Sequence, residues 1–153
     1  MFNQNDEIKK ERVDYILSFF DKLLSKLSDN QIIKGNIILA FHWLIMILYI
    51  IFTLFSPLSY INISFVFLLI FLHNSINLYF GSLDKCILVK LERYFYNDKS
   101  WYGPNTPFFR FIGMSNRDDQ KTIQFYNLSF WILLYIYYFI RIFNNCRQQP
   151  NIV

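Results

Sequence analysis

Apolar positions along this chain change their spacing from segment to segment, and the changes divide it into wetted and oily parts. Over the first 35 residues Val13, Ile16, Leu17, Phe20, Leu23, Leu24 and Leu27 recur every three or four positions among charged side chains. That is the stripe of an amphipathic helix. Beyond it the periodicity is lost: residues 37–55 read IILAFHWLIMILYIIFTLF and residues 61–80 read INISFVFLLIFLHNSINLYF, with no formal charge in either. Only Ser56-Pro57-Leu58-Ser59-Tyr60 separates them, a turn that predicts an antiparallel helical hairpin. A third apolar stretch occupies residues 123–142 and meets Arg141 near its end. At about 1.5 Å of rise per residue, each stretch reaches across a hydrocarbon layer roughly 30 Å thick.

The connector between the second and third stretches has its own order. Leu83, Ile87, Leu91, Tyr94 and Phe95 fall at helical spacing, with Lys85, Lys90, Glu92 and Arg93 between them, so residues 82–97 predict a second amphipathic helix with Ser82 as its cap. Trp101-Tyr102-Gly103-Pro104-Asn105-Thr106-Pro107-Phe108-Phe109 then combines turn residues with large aromatics, the composition of a membrane interface or a subunit contact. Asp118 and Asp119 stand where acids favour the start of the third helix. The expected fold is an all-α integral membrane protein with three transmembrane helices, an amphipathic N-terminal helix and an amphipathic helix in the inner loop. Its segments are residues 1–35 on the inner side, 36–81 as the hairpin, 82–122 as the inner loop, 123–143 as the third span and 144–153 as the outer tail.

Charge sets the expected orientation. Six Lys and Arg lie in the first 35 residues and seven between Gly81 and Lys121, against none in the hairpin turn and two from Arg141 onward. Three spans place the first two groups on one face, and the positive-inside rule makes that face cytoplasmic or, in an organelle, matrix or stroma. All eleven acidic residues fall on the same side, so the inner face is a mixed polar platform. Acids throughout residues 1–35 read neither as a secretory signal nor as a transit peptide. The balanced charge leaves three places for the N-terminal helix: over the chain's own inner loop, on another subunit, or on lipid.

Composition adds few candidate chemistries. Apolar residues make up 54% of the 153 and aromatics 21%, which is a lipid-facing composition. Two histidines, two distant cysteines and four glycines offer no common zinc framework and no phosphate-cradling loop. Cys86 and Cys146 fall on opposite sides in this topology, so no disulfide between them is expected. No Asp, Glu or Lys occupies the middle of a stretch, which speaks against a proton relay or an ion carrier within this chain alone. His42 and His73 lie at similar depth on antiparallel helices, with Asn74, Ser75, Asn77, Asn127 and Ser129 in their neighbourhood. Polar groups in lipid need partners, and three readings stay open: hydrogen bonds between helices, imidazole ligation of a b-type haem, or contact with a quinone or lipid headgroup.

The span count, the inner N-terminus and the spacing of His73 and Asp84, His73-Asn-Ser-Ile-Asn-Leu-Tyr-Phe-Gly-Ser-Leu-Asp84, resemble the membrane-anchor subunits of succinate dehydrogenase and fumarate reductase. The resemblance implies His73, and after it His42, as haem ligands, and Asp84 near a quinone pocket. Lys85 stands where one of those anchors carries tyrosine. Abundant Phe, Tyr, Ile, Asn and Lys fit AT-rich coding DNA, as in some mitochondria, protists or large DNA viruses. The expected function is a non-catalytic anchor or accessory subunit of a membrane complex, with the respiratory chain of the mitochondrial inner membrane as its setting. Its partners would be other membrane subunits and lipid, not nucleic acid. The alternative is a stand-alone small multi-pass protein of structural or pore-forming role.

Overall fold

The computed structural model describes residues 2–80, 86–114 and 119–148. These form six helices: α1 (Phe2–Leu24), α2 (Gln31–Phe55), α3 (Tyr60–Tyr79), α4 (Ile87–Tyr96), α5 (Thr106–Phe111) and α6 (Asp119–Gln148). The all-helical expectation holds among the described residues. Two of the helices are long and apolar enough to cross a membrane, over Gln31–Phe55 and Thr122–Arg147. In α3 the uninterrupted apolar part is shorter, Tyr60–Ile76.

The helix ends are set by side chains. Asn30 Oδ1 accepts from the Ile32 amide at 2.9 Å and starts α2 six residues before the uncharged run begins. That early start includes Lys34, a charge whose partner lies on another helix. Ser56 ends α2 in an extended conformation, and Ser59 caps α3 by accepting from the Asn62 amide at 3.3 Å. Asn62 Nδ2 also donates to the Pro57 carbonyl at 2.8 Å, which closes the hairpin turn. Helix α4 begins at Ile87 after Cys86, whose side chain makes no capping bond, and ends at Asn97 in the left-handed region, φ 49°. The expected cap Ser82 lies outside the described residues.

Ring contacts and polar ties give the helices their directions. Phe52 near the end of α2 meets Phe65 near the start of α3, with centroids 5.4 Å apart, so the two run antiparallel. At the far end of α3, Arg12 of α1 stacks over the Tyr79 ring at 4.2 Å, and Lys90 of α4 donates to the Phe80 carbonyl at 2.8 Å. Helix α6 runs parallel to α2. Its Ile123 packs near its start with Tyr102 and Phe109, and near its other end Arg141 donates to the Thr53 and Ser56 carbonyls at 2.7 and 3.0 Å. Those two carbonyls belong to the last turn of α2, where intrahelical donors run out. Helices α1, α4 and α5 therefore gather at one end of the α2, α3 and α6 group, and the hairpin turn and Arg141 lie at the other.

The core is concentrated at that first end. Leu24, Ile38, Leu91 and Phe95 are buried together, with Leu17, Phe20, Ile37 and Leu88 packed around them. One face of α1 is thus spent on α2 and α4 of its own chain. Lys34, 2% exposed, completes the joint: its Nζ reaches Asp21 Oδ1 at 2.6 Å and Ser25 Oγ at 2.7 Å. Elsewhere the helices cover little of one another. Only 11% of the apolar part of α2 and 17% of that of α6 is buried within the chain.

Candidate functional site

Glu92 on α4 carries a carboxyl group that is fully enclosed. Its position follows from helical geometry, because residue 92 lies four places after Leu88 and three before Phe95, on the face that α4 turns toward α2. An ionised carboxylate without partners would be prohibitively costly there. Two partners meet it. Oε1 lies 2.7 Å from His42 Nδ1 on α2, and Oε2 accepts from Trp101 Nε1 at 2.6 Å. One side chain therefore binds α2, α4 and the aromatic loop together.

The loop is shaped to bring Trp101 to that place. Arg93 donates through Nε to the Trp101 carbonyl and stacks over the Tyr102 ring at 4.8 Å. The Tyr96 and Trp101 rings approach to 4.5 Å between centroids. Arg110 pairs with Asp98 and donates to Ser100 Oγ at 2.8 Å. Partial burial opposes ionisation of Asp98, yet the bonds from Arg110 and Ser100 outweigh it and hold the carboxyl below the usual range. Burial, with the Glu92 charge nearby, pushes the Tyr96 phenol up. Gly103 turns the chain over the site at φ +89°, where a Cβ would come within 2.9 Å of Val89 Cγ2 and 3.6 Å of His42 Cε1. Both the backbone angle and the space call for glycine there.

Cys86 is half-buried and not part of a disulfide. The order imidazole, carboxylate, indole N–H is continuous across His42, Glu92 and Trp101. A carboxylate on Nδ1 orients an imidazole either for metal ligation or for general-base work. Among the described residues no group of three or more His, Cys, Asp and Glu side chains converges as for a metal ion.

The other expected site residues are dispersed. His73 is exposed on α3. Asp84 lies outside the described residues, as does the side chain of Asn77. Asn127 accepts from Asn105 Nδ2 at 2.9 Å, so its partner comes from the loop before α5 and not from α2 or α3. Asn74 is exposed, and Ser75 and Ser129 are half-buried. The partner of His42 comes from the inner loop and not from another span, and Glu92 lies on the buried face of α4 and not on its wet face. The signal that could have found Glu92 is an acid within the Leu88, Leu91, Phe95 stripe. The fold and this site define an all-helical chain with two membrane-length apolar helices and a buried histidine–glutamate joint. Compared with protein-family models, curated proteins and solved structures, the chain matches none.

Proposed function

We propose that this chain is a membrane-embedded anchor or accessory subunit, crossing the bilayer three times and presenting its gathered polar end to another subunit of a membrane complex. The observation that carries this reading is the outward ridge of α1. Leu17, Phe20 and Leu24 are spent on the chain's own core, yet Tyr15, Phe19, Leu23 and Leu27 stay exposed, at 75, 53, 45 and 72%. Their spacing of four residues forms one ridge along the helix and into the turn after it, at the polar end of the molecule. An apolar ridge of that kind, on a helix already fixed from behind, suits an apolar groove on a partner. The mixed charge of α1 favours protein over an anionic lipid surface.

The test is purification from native membranes in mild detergent. Co-migrating subunits are expected with the native chain and are expected to be lost from a Phe19→Asp/Leu23→Asp variant of unchanged helical content. Monomer alone, with no co-migrating protein, would overturn the reading. A haem-carrying version rests on His73 and its spacing to Asp84 in the sequence. It predicts a reduced-minus-oxidised absorption band that disappears in His73→Ala, and the absence of any such band in the purified complex removes it. A respiratory-chain setting follows only if that band is found.

A further inference from the structure

We infer that the ridge of α1 docks on the same ridge of a second copy of this chain, with the two helices antiparallel about a two-fold axis at Phe19. The inference rests on the accessory-subunit reading above and names the partner at that ridge.

Three observations agree on this occupant. The first is the order of charge beside the ridge. On the face of α1 turned away from the core, the exposed acids Glu7 and Glu11 come first and the exposed Lys22 and Lys26 come last. Lys9 and Lys10 lie on other faces by helical rotation, and Arg12 is held against Tyr79. An order of acid, apolar centre and base is complementary to itself when reversed. A parallel copy would set acid on acid and base on base.

The second observation is a hollow at the acidic end of the ridge. Glu11, Arg12, Tyr15, Tyr79 and Phe80 line a cavity of about 360 Å³ between α1 and the end of α3. Reversal about Phe19 sets Tyr15 opposite Leu23 and Glu11 opposite Leu27 of the other copy. Leu27 is 72% exposed in the single chain, and this pairing places it over the hollow. The rings of Tyr15, Tyr79 and Phe80 offer its methyl groups an apolar seat, while the Glu11 carboxylate stands beside the neighbouring Lys26 of the second copy. A two-fold axis repeats the arrangement, so both hollows are filled and the contact closes on itself.

The third observation is the direction of α1. Arg12 meets Tyr79 of α3 and Asp21 meets Lys34 of α2, so α1 runs across the end of that antiparallel pair. Two chains inserted alike in one bilayer are related by rotation about its normal, and a half-turn reverses a helix that lies across the bundle. The antiparallel meeting therefore needs no inverted insertion. Chains already held at one depth and in one orientation also lose less freedom on pairing, which favours a contact made by a single helix from each.

The experiment co-expresses two full-length copies carrying different tags in a Cys86→Ser/Cys146→Ser background and oxidises the intact membranes mildly. Phe19→Cys in both copies is expected to link the two tags. Tyr15→Cys in one copy is expected to link to Leu23→Cys in the other, but not to Tyr15→Cys, because two residues 15 lie about 12 Å apart along antiparallel helices. A second arm keeps Phe19→Cys as the reporter and changes the charges. Glu11→Lys in both copies, or Lys26→Glu in both, opposes like charges and is expected to lower the linked fraction about tenfold. The Glu11→Lys copy mixed with the Lys26→Glu copy restores two opposite-charge pairs and is expected to recover it. The inference is overturned if Phe19→Cys chains of native helical content do not link, if Tyr15→Cys links to itself as readily as to Leu23→Cys, or if the mixed copies recover nothing. Purification from the same membranes separates the two readings. Different subunits that co-migrate while the two tags never do would sink this inference and leave the accessory-subunit reading standing, whereas monomer alone removes both.

Discussion

Glu92 illustrates how a single side chain can govern a local structure through what it would cost unpaired. Its oxygens are fully buried and each has one partner, His42 or Trp101. Truncation to alanine leaves a cavity and strips both partners, so Glu92→Ala is expected to lower stability by about 3–5 kcal/mol, as when a buried ionic pair is broken. Glu92→Gln keeps one acceptor for the indole and one amide group for the imidazole, and the loss is expected to be about half of that or less. Denaturant unfolding in detergent micelles compares the two, and equal losses would show that the bonds are not the cause. Asp98 carries a weaker but directional dependence on pH. Its folded carboxyl is held below the usual range by Arg110 and Ser100, so its contribution is present above the ordinary carboxylate value and is lost as pH falls through the folded one. The side chain is partly exposed, which limits the effect to about 0.5 kcal/mol or less. Thermal melting of Asp98→Asn at pH 7 and pH 3 is expected to show a smaller difference between the two pH values than the native chain does.

At the scale of elements, the joint between α1 and α2 rests on an ion pair whose members are unequally buried. Lys34 has a side chain 3% exposed, and Asp21 one 32% exposed. Removing the acid leaves an enclosed ammonium with only Ser25 for company, whereas removing the lysine leaves a carboxylate that water can reach. Asp21→Ala is therefore expected to cost more than Lys34→Met, by roughly 1–3 kcal/mol. Hydrogen exchange in residues 7–24 should rise more in Asp21→Ala, and the reverse order would refute the assignment of burial. The same joint explains what the sequence could and could not disclose. The apolar runs announced α2, α3 and α6, and the three- and four-residue spacing announced α1 and α4. The start of α2 at Gln31 was hidden because Lys34 reads as a wet residue until Asp21 is brought beside it by the turn at residues 25–30. His42 and Glu92 stand 50 positions apart and belong to different kinds of segment, so their meeting depends on α4 folding back along α2, which no local pattern encodes. Gly103 is legible only afterwards, since its φ of +89° and the 2.9 Å at which a Cβ there would meet Val89 Cγ2 arise from that same return.

Across the whole molecule, the two ends of the helix group differ in kind. One end gathers α1, α4, α5 and most of the charge; the other holds the turn at Ser56 to Ser59 and the Arg141 guanidinium on the last carbonyls of α2. Tyr79 beneath Arg12 brings the end of α3 back to the side where α2 begins, and Arg141 beside Thr53 brings the end of α6 to the side where α2 ends. If lipid surrounds the group, Cys146 must share a compartment with the hairpin turn, and Lys26 must share one with Lys99. Single-cysteine chains test this with an impermeant maleimide on sealed vesicles: Leu58→Cys, Lys26→Cys or Lys99→Cys in a Cys86→Ser/Cys146→Ser background, and the native Cys146 in Cys86→Ser. Three crossings predict that Leu58→Cys and Cys146 react from one side while Lys26→Cys and Lys99→Cys react from the other. Should α3 lie along the surface without crossing, Lys99→Cys would join Leu58→Cys and Cys146 would join Lys26→Cys. The polar residues His73, Asn74 and Ser75 in the last third of α3 make that helix the decisive one. Arg141 supplies the energetic reason to expect the first result: its guanidinium serves two carbonyls of α2 and lies at the end where few other charges gather, so α6 delivers a cation to the rim of the hairpin turn and not to the crowded face.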